Sequence, residues 1–118
     1  MTESLDLIFT ALANPTRRAM LDRLAQGDAT VMDLAAPFSL SQPTISSHIK
    51  VLETAGLVTR GRHSNKRPVR LDPAALVQAH LWIGRYQQFW TDALERLEIY
   101  AKSLEQEDNT DANSPKTV

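Results

Sequence analysis

Cysteine is absent from this chain, which removes disulfides and thiolate metal sites together. Net charge is nearly absent too: thirteen Lys and Arg against fourteen Asp and Glu leave −1 at neutral pH. Taken alone, that balance argues against a nucleic-acid partner. No apolar run approaches the length of a membrane span. Glu3 and Asp6 stand where a secretory leader would carry basic residues, so none is expected. The glycines number four, with no phosphate-cradling pattern among them. No Ser/His/Asp set and no paired carboxylates suggest catalysis; Glu95, Glu98 and Glu105 fit the wet face of a helix. His48, His63 and His80 share no ligand-like spacing. The expectation is a cytoplasmic, non-enzymatic protein with no metal and no cofactor. Its 118 residues and 42% apolar content suit one modest domain.

What is present is concentrated in residues 41–57, SQPTISSHIKVLETAGL. Ser41 is a good helix N-cap, and Pro43 suits a first turn that needs no N–H. Ile45, Ile49 and Leu52 recur at spacings of four and three, one apolar helical stripe. Pro43, Ser47, Lys50 and Thr54 fall on roughly the opposite side, flanked by Thr44 and Ser46. Gly56 ends the helix where a left-handed residue is wanted. A short helix with an apolar back and a front of small hydrogen-bonding residues plus one lysine suits a DNA major groove. Base edges there need donors and acceptors, and phosphates need positive charge. The candidate contacts are Gln42, Pro43, Thr44, Ser46, Ser47, His48 and Lys50. Gln42 can pair bidentately with adenine, and Thr44 offers a methyl to thymine or a hydroxyl to phosphate.

Local charge supports that reading where overall charge does not. Residues 41–70 hold Lys50, Arg60, Arg62, Lys66, Arg67 and Arg70 against Glu53 alone, whereas residues 92–118 hold seven acids against three bases. Phosphate docking follows the local field. Residues 57–71 read as strand, basic turn at Ser64-Asn65, and strand, with Pro68 at an edge or at a strand start. A basic hairpin directly after a recognition helix is a wing. Its candidate contacts are Arg60, Arg62, His63, Lys66, Arg67 and Arg70.

Upstream, Leu5, Ile8, Phe9 and Leu12 make a first helical stripe. Asn14-Pro15 starts a second helix with Met20, Leu21 and Leu24 inward and Gly27 at its stop. Thr30 caps a third, short helix, with Asp33 as capping-box partner and Leu34 and Ala35 inward. Two short helices across a tight turn are the helix-turn-helix pattern. Arg17 and Arg18 are either surface residues of a helix start or flanking phosphate contacts.

Downstream, Asp72-Pro73 opens the longest helix, about Ala74 to Ser103. It holds five of the seven aromatics: Trp82, Tyr86, Phe89, Trp90 and Tyr100. Thirty helical residues span about 45 Å, more than a compact domain of this size can cover. The uncovered apolar face therefore predicts dimerisation. An aromatic-lined effector site at Trp82, Tyr86, Phe89 and Trp90 is the other reading. From Glu105 the tail is polar, and disorder is expected there.

ALANPTRRAMLDRLAQG (11–27), LSQPTISSHIKVLETAGLV (40–58) and the following basic hairpin resemble the ArsR-like winged-helix repressors. The resemblance covers about residues 5–105. It implies a bacterial or archaeal homodimeric repressor whose first and last helices form the dimer interface. Gln42 to Thr54 would then enter the major groove, and Arg60 to Arg70 would lie over the backbone or minor groove. Interface residues on this reading are Leu5, Ile8, Phe9, Ile83, Tyr86, Phe89, Trp90, Leu94 and Leu97. Metal-sensing relatives carry cysteines in the third helix, where this chain has Thr30-Val31-Met32-Asp33-Leu34. Others bind zinc between their last helices, where this chain has His80 without a second histidine. Ser47 stands where many relatives carry arginine.

The fold expected is mainly α with a small β-hairpin, a winged helix-turn-helix. Residues 1–104 form it, with dimerisation helices at about 5–13 and 74–103, and 105–118 form the polar tail. The function expected is a sequence-specific DNA-binding repressor that binds an inverted-repeat operator as a homodimer. A small-molecule or protein effector would release it, and no membrane is involved. A winged-helix protein-interaction module without selective DNA binding is the alternative.

Overall fold

The computed structural model describes residues 2–61 and 67–113, with side chains described over 3–61 and 67–108. The elements are α1 (Thr2–Leu12), α2 (Pro15–Leu24), α3 (Val31–Ala35), α4 (Gln42–Thr54), β1 (Val58–Arg60), β2 (Val69–Leu71), α5 (Pro73–Gly84) and α6 (Gln87–Asn113). The chain divides into two units, residues 1–81 and 82–118.

The first unit is a mainly helical fold with a two-stranded hairpin, as the apolar spacing predicts. Capping residues set its helix starts. Asn14 accepts from the Arg17 amide, Ser41 from the Thr44 amide, and Asp72 from the Ala74 amide. Thr30 and Asp33 form a complete capping box. α4 ends in a Schellman arrangement: Leu57 N–H donates to the Leu52 carbonyl at 2.9 Å and Gly56 N–H to Glu53 at 3.0 Å. Gly56 takes φ +78°, a conformation that costs a side-chain-bearing residue energy. Leu57 and Leu52, joined by that turn, are both fully buried.

The apolar stripes meet in the core: Ile8, Met20, Leu34, Ile45, Ile49, Leu52, Leu57, Val58 and Val69 are all fully buried. β1 and β2 pair antiparallel with Val58 opposite Leu71 and Arg60 opposite Val69. Pro68 sits just before β2, at the strand start, where its missing N–H interrupts no ladder. Its carbonyl accepts from Gly61 N–H at 2.7 Å. A reciprocal pair of bonds between Ala29 and Val69 adds an isolated antiparallel bridge. That bridge ties the hairpin to the loop between α2 and α3. In α5, Ala75 and Ala79 are buried, and Ser4 of α1 donates to Gln78 at 3.1 Å.

The second unit corrects two expectations. The single helix from Ala74 to Ser103 is two helices, interrupted after Gly84. Arg85 N–H bonds Trp82, Tyr86 N–H bonds Ile83 and Phe89 N–H bonds Tyr86, all three residues back rather than four. Glycine is among the weakest helix formers, so the break falls where local propensity is lowest. The second correction concerns the tail. Helix α6 passes Glu105 and runs to Asn113. Low apolar content there does not prevent a helix, because Glu105, Gln106 and Glu107 are good helix formers that continue the helix before them. Residues 114–118 lie outside the described residues.

Candidate nucleic-acid interface

Burying Ile45, Ile49 and Leu52 turns the other side of α4 to solvent. Gln42, Pro43, Thr44, Ser46, Ser47 and Lys50 are all exposed. The sequence pattern therefore locates this face correctly as an open polar surface. Thr44 is partly committed: its hydroxyl shares a 2.8 Å hydrogen bond with Ser41. Lys50 has no ion pair with any described residue. It also lines a groove of about 380 Å³ between α1 and α4, beside Leu7, Thr10, Ser47, Val51 and Thr54.

His48 differs from its neighbours. It is half-buried, and its Nδ1 lies 3.2 Å from Arg17 Nη1. Burial, then the Arg17 charge, hold the imidazole pKa below its usual value. Arg17 also donates from Nε to the Ala11 carbonyl at 2.8 Å and from Nη2 to the Thr10 carbonyl at 2.9 Å. Arg18 donates to the Leu12 carbonyl at 2.8 Å. The two arginines thus hydrogen-bond the last carbonyls of α1, of which Thr10 also accepts from the Ala13 amide. Sequence reading left open whether these arginines face the surface or phosphate. The missed signal was spacing. Only Ala13 and Asn14 separate α1 from α2, so a cation in the first turn of α2 reaches the last carbonyls of α1.

The described wing residues differ in what their side chains meet. Arg67 is exposed, carries no described ion pair and adopts φ +38°. Arg60 donates from Nε to the Arg67 carbonyl at 3.2 Å, which braces the hairpin across its strands. Arg70 grips Asp28 with Nε and Nη2, the shortest contact being 3.0 Å. That hydrogen bond and the Asp28 charge push the Arg70 pKa further up. Asp28 lies 42 positions away in sequence, so no local pattern could reveal the pairing. Arg62, His63 and Lys66 lie outside the described residues.

The interface residues predicted on α1 need one correction. Ile8 has no exposed surface within its own protomer, so it is a core residue and has nothing to offer a second chain. Leu5 and Phe9 are half-buried, and Phe9 packs against the core. The outward apolar residue of α1 is Leu7. In the second unit Ile83, Tyr86, Phe89, Leu94 and Leu97 are all open, Phe89 at 73% and Leu97 at 63% exposure. Trp90 is half-buried. Trp82 meets Tyr86 edge-on at 5.3 Å, and Tyr86 lies 6.2 Å from Phe89. Among the described residues no three His, Asp or Glu side chains converge as metal ligands would.

Comparison with known proteins agrees with this architecture. The model of the family described as "Bacterial regulatory protein, arsR family" matches residues 14–60, from the Asn14 cap through β1. The HTH-type transcriptional regulator Rv2034 of Mycobacterium tuberculosis is 42% identical over 89 residues, covering 75% of this chain and 80% of the relative. The transcriptional repressor SdpR of Bacillus subtilis is 34% identical over 76 residues, covering 64% of this chain and 84% of the relative. A solved structure is also similar: the homodimeric winged helix-turn-helix DNA-binding domain of Mb0332 from Mycobacterium bovis. It shares 25% identity at a TM-score of 0.58, over 76% of this chain and 85% of that one.

Proposed function

This chain belongs to the arsR family of bacterial regulatory proteins, and we propose that it is a homodimeric, sequence-specific DNA-binding repressor that uses the open face of α4 to read its operator. The carrying observation is the division of α4. Ile45, Ile49 and Leu52 anchor it in the core, while Gln42, Ser46, Ser47 and Lys50 stand exposed on a helix that packs against β1 of the hairpin. Gln42 and Ser46 are proposed to face bases, and Lys50, Arg60 and Arg67 to face phosphates. Arg62, His63 and Lys66 complete the wing on this reading. Arg70, engaged with Asp28, contributes less to phosphate binding than its charge alone suggests.

A second copy supplies the second recognition helix, with the apolar faces of residues 82–104 as the proposed dimer contact. Helices of a two-fold dimer enter successive major grooves about 34 Å apart, so the operator is an inverted repeat. Occupying a promoter there excludes polymerase, and the site of action is the cytoplasm. Release comes from a ligand or protein partner that favours the weakly binding dimer geometry. The likeness to a named repressor and to a homodimeric DNA-binding domain supports this reading. Nothing in the family's regulatory role calls for an enzymatic activity.

The test is binding to the DNA upstream of the chain's own gene against a scrambled duplex, at two salt concentrations. Selective binding that survives physiological salt is expected. Equal binding to both duplexes that vanishes with salt would sink the proposal, and indifference to Gln42→Ala would return weight to a protein-docking role.

A further inference from the structure

We propose that Arg17 is a positioning residue for DNA recognition, holding His48 of the recognition helix as a neutral ring with its proton on Nε2. The inference rests on the DNA-binding reading above. Its basis is donor and acceptor bookkeeping. A guanidinium only donates, so the imidazole nitrogen 3.2 Å from Arg17 Nη1 must accept. Nδ1 is therefore bare, and a neutral ring then carries its proton on Nε2. His48 enters any DNA contact as a fixed donor.

Arg17 cannot simply retreat from this arrangement. Its Nε and Nη2 are committed to the Ala11 and Thr10 carbonyls, and its own amide is held by Asn14. One side chain of α2 thus joins the end of α1 to the middle of α4. Protonating His48 would set Nδ1–H against Nη1–H, two donors and two positive charges at hydrogen-bond distance. With the guanidinium anchored, the ring must move, and His48 lies between the exposed Ser47 and the buried Ile49. The displaced ring then no longer holds its Nε2–H where the DNA contact needs it.

Few other charges bear on the ring. Elements packed against α4 carry Glu3 and Asp6 on α1, Arg17, Arg18, Asp22 and Arg23 on α2, Asp33 on α3 and Arg60 on β1; α4 itself adds Lys50 and Glu53. Of these, Arg17 is the one whose charge acts on His48, and it acts against protonation, as burial does. The consequence runs opposite to the usual one. A histidine on a DNA-binding face ordinarily strengthens binding when it gains a proton. Here acid weakens it.

The decisive experiment is fluorescence anisotropy with a duplex from upstream of the chain's own gene, between pH 8 and 5.5 at fixed salt. Long-range proton–nitrogen spectra of the imidazoles are recorded on the DNA-free protein, with His48→Gln assigning the His48 signals. Wild-type affinity is expected to fall about threefold to fivefold by pH 5.5, short of the tenfold limit that one unit of difference in ring pKa between free and bound protein sets at still lower pH. H48Q, which cannot titrate, loses that acid dependence whatever its own affinity. Arg17→Met reverses it, because the freed ring then adds charge towards phosphate. The spectra are expected to show Nδ1 bare in wild type, a reading that stands even if R17M fails to fold. Wild-type binding that is flat or stronger in acid, an acid loss retained in H48Q, or a proton on Nδ1 would each overturn the inference. Absence of selective binding at every pH sinks the DNA-binding reading and this one with it; selective binding with a flat profile sinks this one alone.

Discussion

Residues 1–81 and residues 82–113 are both largely helical, but they dispose of their apolar side chains in opposite ways. In the first unit every helix contributes buried residues, and nine large apolar side chains are fully enclosed. In the second, no described residue is buried, and Phe89, Leu94, Leu97, Ile99 and Tyr100 are all more than half exposed. The first unit has its own core. The second carries a core's worth of apolar surface with nothing of its own to cover it, which is the signature of a face meant for another molecule. Helical periodicity alone does not separate these cases, because both show apolar residues three and four apart.

The strongest test of that contrast is to charge the open face. Leu94→Glu with Leu97→Glu is expected to convert a dimer to a monomer by light scattering. DNA affinity should fall by about two orders of magnitude, since two linked half-sites become one. All tryptophan and tyrosine lie at positions 82 and beyond, so their fluorescence reports on the second unit alone. A variant that stays dimeric would break the contrast.

Next in size is the same chemistry placed inside and outside. Leu52→Ala, at a fully buried site, should cost about 2–5 kcal/mol of stability in urea melts. Leu97→Ala, at 63% exposure, should leave the stability of the monomer within about 0.5 kcal/mol and weaken dimerisation instead. Equal losses of stability would place both residues in one core.

Within the first unit, Gln42→Ala should cost about 1–3 kcal/mol on the operator and little on other DNA. Lys50→Ala should weaken binding on every sequence and reduce the log–log salt slope by about 1. A sequence-dependent effect at Lys50 would reassign it to a base.

Acid should destabilise the first unit through His48. Its folded pKa lies below the ordinary histidine value of 6.5, so the unfolded chain takes up a proton first. The contribution is therefore complete above about pH 6.5 and is lost as pH falls towards the lower folded value. Melting of wild type and H48Q at pH 7.5 and pH 5 checks this; equal acid losses would exclude His48. The smallest effect is expected at the surface pair of Asp28 and Arg70. Asp28→Asn should leave thermal melting unchanged while steepening the salt dependence of DNA binding, by freeing Arg70 and removing an acid.

Much of this molecule was legible in short-range pattern. Asn14, Thr30 and Ser41 cap the helices they announce, Gly56 takes the left-handed turn, and Pro68 opens a strand. The exposed front of α4 follows from the Ile45–Ile49–Leu52 stripe alone. Less legible was which face of α1 is the inner one. Leu5, Ile8, Phe9 and Leu12 form a stripe that serves core or interface equally well on paper; only burial shows that Ile8 belongs to the core. The break at Gly84 was hidden because the apolar period runs through it.

Local pattern in the chain settles where α2, α3 and α4 begin, where α4 ends, which face of α4 is apolar, and where positive charge collects. Caps, turns and apolar periodicity act over a few residues, so they are written in the chain order. What the charged groups do depends on the fold. Arg17 became the link from α1 to His48, and Arg70 was drawn to Asp28, while Lys50 and Arg67 stayed open. A cation reads the same in sequence whether it meets a carbonyl, a carboxylate or solvent. Only the distances set by folding, with hydrogen bonds falling off beyond about 3.2 Å, choose among those partners.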